Sequence, residues 1–458
     1  MMKGEGKMST AEIARGHMIR KALKVAWPAM AESFFVTLAG MIDTMMVSAL
    51  GSYAVAAVGL TGQPKFIGLT LFFGINVAVS ALVARRKGEG RQENANEIFW
   101  TAFLLTLVLC AAVTVIFVLL ASPMMSLAGS NEDTHEAAVL YFQIIMGGMV
   151  FNVITMVINA AQRGSGNTTL SMTTNLTSSI VNIVFNYLLI EGHFGFPAWG
   201  IRGAAIATVL GTVAAAIMAL GSLFRRSSYV RLPLIRRERI RFTRQSAGSV
   251  WRLAYNTSLE NIAMRVGFLA TALIAARLGT DTFAAHNIGM NILGLGFSFA
   301  DGMQVAAIAL AGESLGAGAK DRARQYGTIC QRIGFIISLI LAALLFFGGE
   351  WFYGLYFQEP HILEMGVLIC RFTMVIVLLQ ISQIIYSGCL RAAGDVRYTL
   401  IAALISVTLI RTLVTVVAVN VLHLGLSGVW IGILADQMTR FLLMERRFRK
   451  GEWVNLRI

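Results

Sequence analysis

The sequence predicts an all-α integral membrane protein, with twelve transmembrane helices in two six-helix bundles related by a pseudo-two-fold axis along the membrane normal. Three observations predict it. Of 458 residues, 56% are hydrophobic and only 14% are charged, whereas soluble domains carry roughly 45–50% apolar and about 25% charged residues. Long apolar runs recur along the whole chain, and the second half repeats the first at a fixed offset.

Apolar runs of about 18 residues or more read as membrane helices. Bounded by charged, Gly and Pro breaks, they fall near 22–48, 54–84, 98–121, 136–161, 170–191, 199–224, 247–277, 282–312, 327–349, 363–390, 398–421 and 425–444. The runs are continuous rather than alternating, which predicts helices and not a barrel. The first run follows about twenty polar residues and has no small-residue cleavage site after it, so a signal peptide is not expected. Cys110, Cys330, Cys370 and Cys389 are scattered without a CxxC pair, which argues against a disulfide framework or a zinc site.

The formal charge is +14, from 38 Lys and Arg against 24 Asp and Glu. On a soluble chain this excess would point to nucleic acid. Here 32 of the 38 basic residues fall before span 1, after even-numbered spans (Arg163 and Arg391 among them), around the junction of spans 6 and 7, or at the end of the chain. Segments 130–136, 191–200 and 349–364, on the other side, are acidic or neutral. The positive-inside rule then places both termini in the cytoplasm of a multi-pass inner (plasma) membrane protein, with no nucleic-acid partner. Residues 225–246 form a basic cytoplasmic linker between lobes 1–224 and 247–458.

The repeat runs at an offset of 228 residues. Glu32, Leu50, Gly51, Gly74, Gly88, Arg163 and Gly166 recur as Glu260, Leu278, Gly279, Gly302, Gly316, Arg391 and Gly394, and Gly200 is matched with Gly428. Each half holds an even number of spans, so both enter the membrane in the same direction. Parallel repeats of this kind are a device of secondary transporters.

The energy source is sought among in-span charges. No GxxxxGK[ST] run, metal-ligand cluster or nucleophile motif occurs, so neither an enzyme nor a cofactor is expected and an ion gradient remains. Charges inside spans are costly and therefore tend to be functional. Asp43 stands in span 1, eleven residues after Glu32, which puts the two roughly 16 Å apart on one helix face. The repeat mate of Asp43 is Thr271, so this acid is specific to the first half. Asp43 is read either as an ion site or as the neutraliser of Lys65 in span 2. Glu32 and Glu260 are read as functional cavity acids or as packing-network members. Asp301 and Arg265 are expected to bridge one another, and Arg371, Arg411 and Asp436 to snorkel towards span ends. Asn175, Ser179, Asn182 and Asn186 form a polar stripe on span 5, suited to cation coordination or to interhelical hydrogen bonds. His286 is the one histidine within a span; helix packing and ligation are both open to it.

Several stretches then resemble the MATE (multidrug and toxic compound extrusion) family: MIDTMMVSALGSYAVAAVGLTGQ, ARRKGEGRQENA with its mate GESLGAGAKDRA, AAQRGSGN, CLRAAGD and AAHNIGMN. The resemblance covers essentially the whole chain, in order and duplicated. It implies a secondary active multidrug efflux antiporter of 6+6 helices that exchanges a proton or sodium ion for cationic, amphipathic compounds by alternating access. Asp43 matches the family's coupling aspartate, where a sodium ion would also sit, and Asn182 an asparagine of the same cation site. Asn186 falls where many members have an aspartate, and Thr208 matches a threonine ligand. Glu260 matches a second-lobe glutamate of one branch, whose span-10 aspartate is Gln380 here. Both ions therefore stay open. Gln63, Lys65, His286 and Gln380 are the further candidates to line the cavity. A monomer is expected, with small cationic molecules and membrane lipids as partners. The alternative is a flippase of a lipid-linked precursor, which needs Arg and Lys free in the cavity to hold phosphates.

Overall fold

The computed structural model describes residues 10–354 and 359–456, and these are helical almost throughout. In the first lobe, α1 (Thr10–Ser48), α2 (Ser52–Gly88) and α3 (Gln92–Leu119) are long spans, followed by the short α4 (Ala121–Leu127). The fourth span is broken. α5 (Glu132–Gly147) and α6 (Met149–Gly164) meet at a 46° bend. The break falls at Gly148, where a Cβ would overlap the Val209 side chain. α7 (Thr168–Leu189) and α8 (Ile201–Ser222) complete the lobe.

The linker carries α9 (Leu232–Arg237) and is tied to α3. Asn96 accepts from the Arg231 backbone N–H, while Glu97 accepts from the hydroxyls of Thr243 and Ser246. The second lobe contains α10 (Arg244–Arg277), α11 (Thr280–Gly316), α12 (Lys320–Gly354) and an unbroken α13 (Pro360–Ala392). Its fifth span runs through α14 (Val396–Ala403), a π-helical stretch Leu404–Arg411, α15 (Thr412–Val416) and a second π-helical stretch Val417–Val421. α16 (Gly425–Lys450) closes the lobe.

Among the described residues, nine helices are long and apolar enough to cross a membrane, and the bent α5–α6 pair makes ten. α7 and α16, of 22 and 26 residues, complete the twelve expected spans. Both are long enough to span but carry polar side chains that are turned into protein, where lipid does not meet them. The wide π turns insert residues into the fifth span of the second lobe, so the repeat register slips there. Gly203 packs on the Leu189 carbonyl at the end of α7, and Gly428 packs on Ala418 at the end of its counterpart. The structural mate of Gly428 is therefore Gly203 and not Gly200, because the loop ahead of α8 is longer than that ahead of α16.

The lobes meet through α1 on α11, α2 on α10, and α2 on α11. The contacts come in symmetric pairs. A Cβ at Gly88 would overlap the Glu313 carbonyl, and one at Gly316 would overlap the Arg85 carbonyl, residue 313 being the mate of 85. Likewise Gly74 faces Ala254 and Ser258, and Gly302 faces Met30, the mate of Ser258. A two-fold axis requires this reciprocity, and small residues let the backbones approach without lipid between them.

The interface is closed at the end that carries the chain termini. Glu313 of α11 pairs with Lys21 of α1 at 2.8 Å and Lys87 of α2 at 3.3 Å. Arg85 donates to the Leu456 carbonyl at 3.1 Å, and Trp453 is buried beside Phe448 beneath the second lobe. Moving away from this end, the polar and cation–π contacts between lobes among the described residues reach Thr37–Ser298 and Phe66–Arg265. At that level Phe34, Phe35, Val36, Thr37 and Leu38 are all exposed in succession. Five successive residues circle the helix more than once, so α1 there is only loosely packed, and its one polar contact to the other lobe among the described residues is Thr37 with Ser298. The lobes part at the end opposite the termini.

The glycine contacts make closure testable. Gly88→Val or Gly316→Val forces α2 and α11 apart. Spin labels at Arg91 and Lys320, both exposed at the closed end, should then show longer distances than in the parent. An unchanged distance distribution would refute the assignment of these glycines as the closure contact.

Candidate functional site

Two hydrogen-bonded networks, one per lobe, follow the same pattern. In the first, Arg163 at the end of α6 donates to Glu32 of α1 at 3.0 Å and to Asn76 of α2 at 3.3 Å, and Ser171 of α7 donates to Glu32 at 3.0 Å. In the second, Arg391 donates to Glu260 at 2.8 Å and to Gln304 at 3.3 Å, and Thr399 donates to Glu260 at 2.9 Å. Every member is 228 residues from its mate: Glu32 and Glu260, Asn76 and Gln304, Arg163 and Arg391, Ser171 and Thr399. Arg163 and Arg391 are thus internal partners of acids and not loop charges that set orientation. Each network ties four spans of a lobe together.

Asn175 adds a bond to Glu32 at 2.6 Å, and it opens the polar stripe of α7. One turn after another, that stripe runs towards the open end. Asn182 donates to Thr208 of α8 at 3.1 Å, and Asn186 donates to Asp43 of α1 at 2.6 Å. The expected cation-site residues are therefore gathered by α1, α7 and α8. Tyr141 of α5 stands within electrostatic range of Asp43 and hydrogen-bonding range of Thr208. Sequence reasoning missed it, since a tyrosine in an apolar run carries no signal of its own. Lys65 feels the Asp43 charge but forms no ion pair with it within 4 Å. It lines a cavity of about 110 Å³ with Met146, Gly148, Asn152, Thr208 and Thr212. The Asn186 Oδ1 is buried without a hydrogen-bond partner, an open oxygen ligand near a carboxylate.

The second lobe fills the corresponding space with its own cation. Arg411 is 1% exposed and donates to Thr271, the mate of Asp43, at 2.9 Å. It pairs with Asp436 at 3.4 Å and lies over the Phe268 ring at 4.6 Å, while Arg440 holds the other Asp436 oxygen at 3.2 Å. The expectation that Arg411 and Asp436 snorkel is wrong: the π turns place the guanidinium on the inner face, where an acid compensates it. Arg371 does lie exposed, beside Glu350 and Glu364. Gln380, mate of the cavity-lining Asn152, is enclosed with neither amide atom bonded, and His286 is buried edge-on to Trp430. Both were expected along the cavity and lie inside the second lobe instead. Gln63 is exposed and lines none of the cavities described here.

Between the lobes lies a polar chamber with two adjoining parts of about 320 and 330 Å³. Glu32, Asn76, Phe73 and Arg163 line one part, Glu260, Arg265, Phe66 and Phe297 the other, and Asn261, Asp301, Gln304 and Arg391 line both. Arg265 stacks on the Phe66 ring at 3.7 Å and makes no ion pair with Asp301, so the expected bridge is absent. No group of three or more His, Cys, Asp or Glu side chains suited to a metal occurs among the described residues.

Two repeated lobes, closed over a polar chamber at one end and parted at the other, define a two-lobe integral membrane protein of twelve spans. A family model described as MatE matches residues 28–188 and again 257–417, starts that lie 229 residues apart. The chain belongs to the MatE family. It is 29% identical over 443 residues to a Thermotoga maritima protein named probable multidrug resistance protein NorM, covering 95% of this chain and 93% of that one. A Burkholderia pseudomallei protein of the same name is 29% identical over 423 residues, covering 89% and 87%. Among solved structures, the outward-facing conformation of a multidrug resistance MATE family transporter of the MOP superfamily superposes with TM-score 0.88 at 24% identity, over 98% of this chain and 100% of that one. A structure of MATE in the bent conformation gives 0.87 at 23% identity, over 97% and 99%. These likenesses show the fold.

Breaking a buried ion pair by removing one partner costs about 3–5 kcal/mol, because the other charge stays buried alone. Glu260→Ala and Arg391→Ala are each expected to lower the thermal unfolding midpoint of the detergent-purified protein markedly. The double variant should lose much less than the sum. Additive losses in such a cycle would show that the two side chains do not act as a pair.

Proposed function

We propose that this chain is a secondary active multidrug exporter, a cation-coupled antiporter that moves cationic amphipathic compounds out of the cell by alternating access. The names of its relatives support the substrate class. The observation that carries the coupling is Asp43: an in-span carboxylate whose repeat mate is Thr271, held by Asn186 and felt by Lys65, five residues from the open end of α1. A proton or sodium ion entering from that end neutralises Asp43 and weakens its hold on Asn186. The ion then stabilises one arrangement of the two lobes over the other, and an ion shifts an equilibrium only by such a difference in affinity.

With the termini in the cytoplasm of the inner membrane, as the distribution of basic residues supports, the structure is open to the outside. Returning to the inward-open arrangement requires Glu313 to leave Lys21 and Lys87 and the facing glycines to separate. The chain acts as a monomer and without a cofactor, since one chain holds both lobes and all the charges the cycle uses. A phosphate-holding flippase is disfavoured because Arg163 and Arg391, the arginines at the chamber's centre, are committed to Glu32 and Glu260.

Reconstituted into liposomes, the protein should accumulate a fluorescent organic cation when a proton or sodium gradient is imposed. Varying the two gradients independently identifies the ion. Asp43→Asn should lose gradient-driven accumulation at least tenfold while still binding the dye. Full gradient-driven transport by Asp43→Asn would remove Asp43 from the coupling role.

A further inference from the structure

Asp301 of α11 is placed unlike the other acids of the chamber. Three carboxylates line its two parts: Glu32, Glu260 and Asp301. Glu32 is bonded to Arg163, Ser171 and Asn175, and Glu260 to Arg391 and Thr399. Asp301 has no hydrogen bond or ion pair among the described residues, and its side chain is exposed to the chamber. It borders both parts, within electrostatic range of Arg391 and Arg163, which already serve their own glutamates. Its charge is therefore surplus to the two duplicated networks.

The repeat strengthens this reading. The mate of Asp301 is Phe73, which lines the same chamber and lies 5.6 Å from Phe66, ring to ring. The fold thus needs no carboxylate at this position, because the first lobe builds it with a phenyl ring. Across the pseudo-axis from this lone carboxylate stand Phe73 and Phe66 of the first lobe, while Phe268 and Phe297 of its own lobe line the chamber beside it. An ion-pairing oxygen opposite aromatic faces is the chemistry that holds an organic cation: the carboxylate takes the charge, and the rings take the apolar body and the positive edge. Arg265 bears on the far wall but is spread over the Phe66 ring at 3.7 Å, so it sets an upper limit on how much positive charge the occupant can carry. The occupant that fits is a monovalent, aromatic cation.

We propose that Asp301 is the carboxylate that receives the positive charge of a cationic amphipathic ligand in the inter-lobe chamber. The proposal rests on the exporter reading for its substrate class but assigns a residue that the coupling site does not include. Tetraphenylphosphonium and tetraphenylborate, alike in shape and opposite in charge, separate charge recognition from apolar fit. The full-length protein in lipid nanodiscs should bind the phosphonium more tightly than the borate. Asp301→Asn, or Asp301→Ser should the first variant fail to fold, should weaken phosphonium binding tenfold or more and leave borate binding unchanged or tighter. Asp301→Glu should retain most of the affinity, and Arg265→Gln should tighten phosphonium binding. Unchanged phosphonium affinity in the neutral variants overturns the proposal, as does a parent protein that prefers the borate. A parent that binds the phosphonium through Asp301 but exports no cation overturns the exporter reading and leaves the binding site standing. Export that persists with phosphonium affinity intact in Asp301→Asn overturns only the role of Asp301.

Discussion

Two glutamates sit in the interior of a protein that lies in lipid, and each must have a cation. That requirement organises the molecule. A carboxylate in a low-dielectric interior is stable only when paired and further hydrogen-bonded. Glu32 and Glu260 meet this by drawing an arginine from the end of the fourth span and a hydroxyl from the fifth. In each lobe the first span is thereby bonded to the second, fourth and fifth, which braces the lobe internally. Rigid halves are what a two-lobe transporter needs, because motion must be concentrated between lobes and not dissipated within them.

With the lobes made rigid, the surface between them becomes the moving part. Its closure depends on backbone meeting backbone at Gly88 and Gly316 and on one acid, Glu313, serving two lysines. The glycine contact is symmetric and the charge contact is not, since the mate of Glu313 is Arg85, which bonds a backbone carbonyl of the C-terminal segment instead. The close glycine packing allows a tight fit; the partly exposed ion pairs are worth little each. Such a seal can hold the lobes together and still open without a large barrier.

Much of this could be read from the residues. The twelve spans, the two lobes and the repeat were visible because apolar runs and fixed-offset matches are linear features. The family resemblance groups Asp43, Asn182, Asn186 and Thr208, and the structure bonds them in two pairs, Asn186 to Asp43 and Asn182 to Thr208. The partnership of Glu32 with Arg163 was hidden, although both residues and their mates stood out. Hydropathy cannot distinguish the last turn of a span from the loop after it, and 131 residues separate each acid from its base. Arg411 was misread for a different reason. A charge near the end of an apolar run reads as snorkelling, and linear spacing does not show that Thr271 of α10 and Asp436 of α16 meet Arg411 in the interior. The Asp301 to Arg265 bridge failed because spacing along two helices says nothing about which aromatic ring lies nearer.

The two lobes share one scaffold and have diverged where charge is concerned. Near Asp43 the first lobe keeps an unpaired buried oxygen, the Asn186 Oδ1, and a cavity lined by Gly148, Asn152 and Thr208. The second lobe has put Arg411 and Trp430 into its interior and neutralised the guanidinium with Asp436, itself shared with Arg440. A tethered guanidinium cannot exchange with solution, so the second lobe carries a permanent cation at the place that corresponds to Asp43. On the proposal that Asp43 couples an ion, exchange chemistry is confined to one half. The other half serves as a fixed counterpart, and it supplies Asp301 to a chamber that neither lobe could form alone.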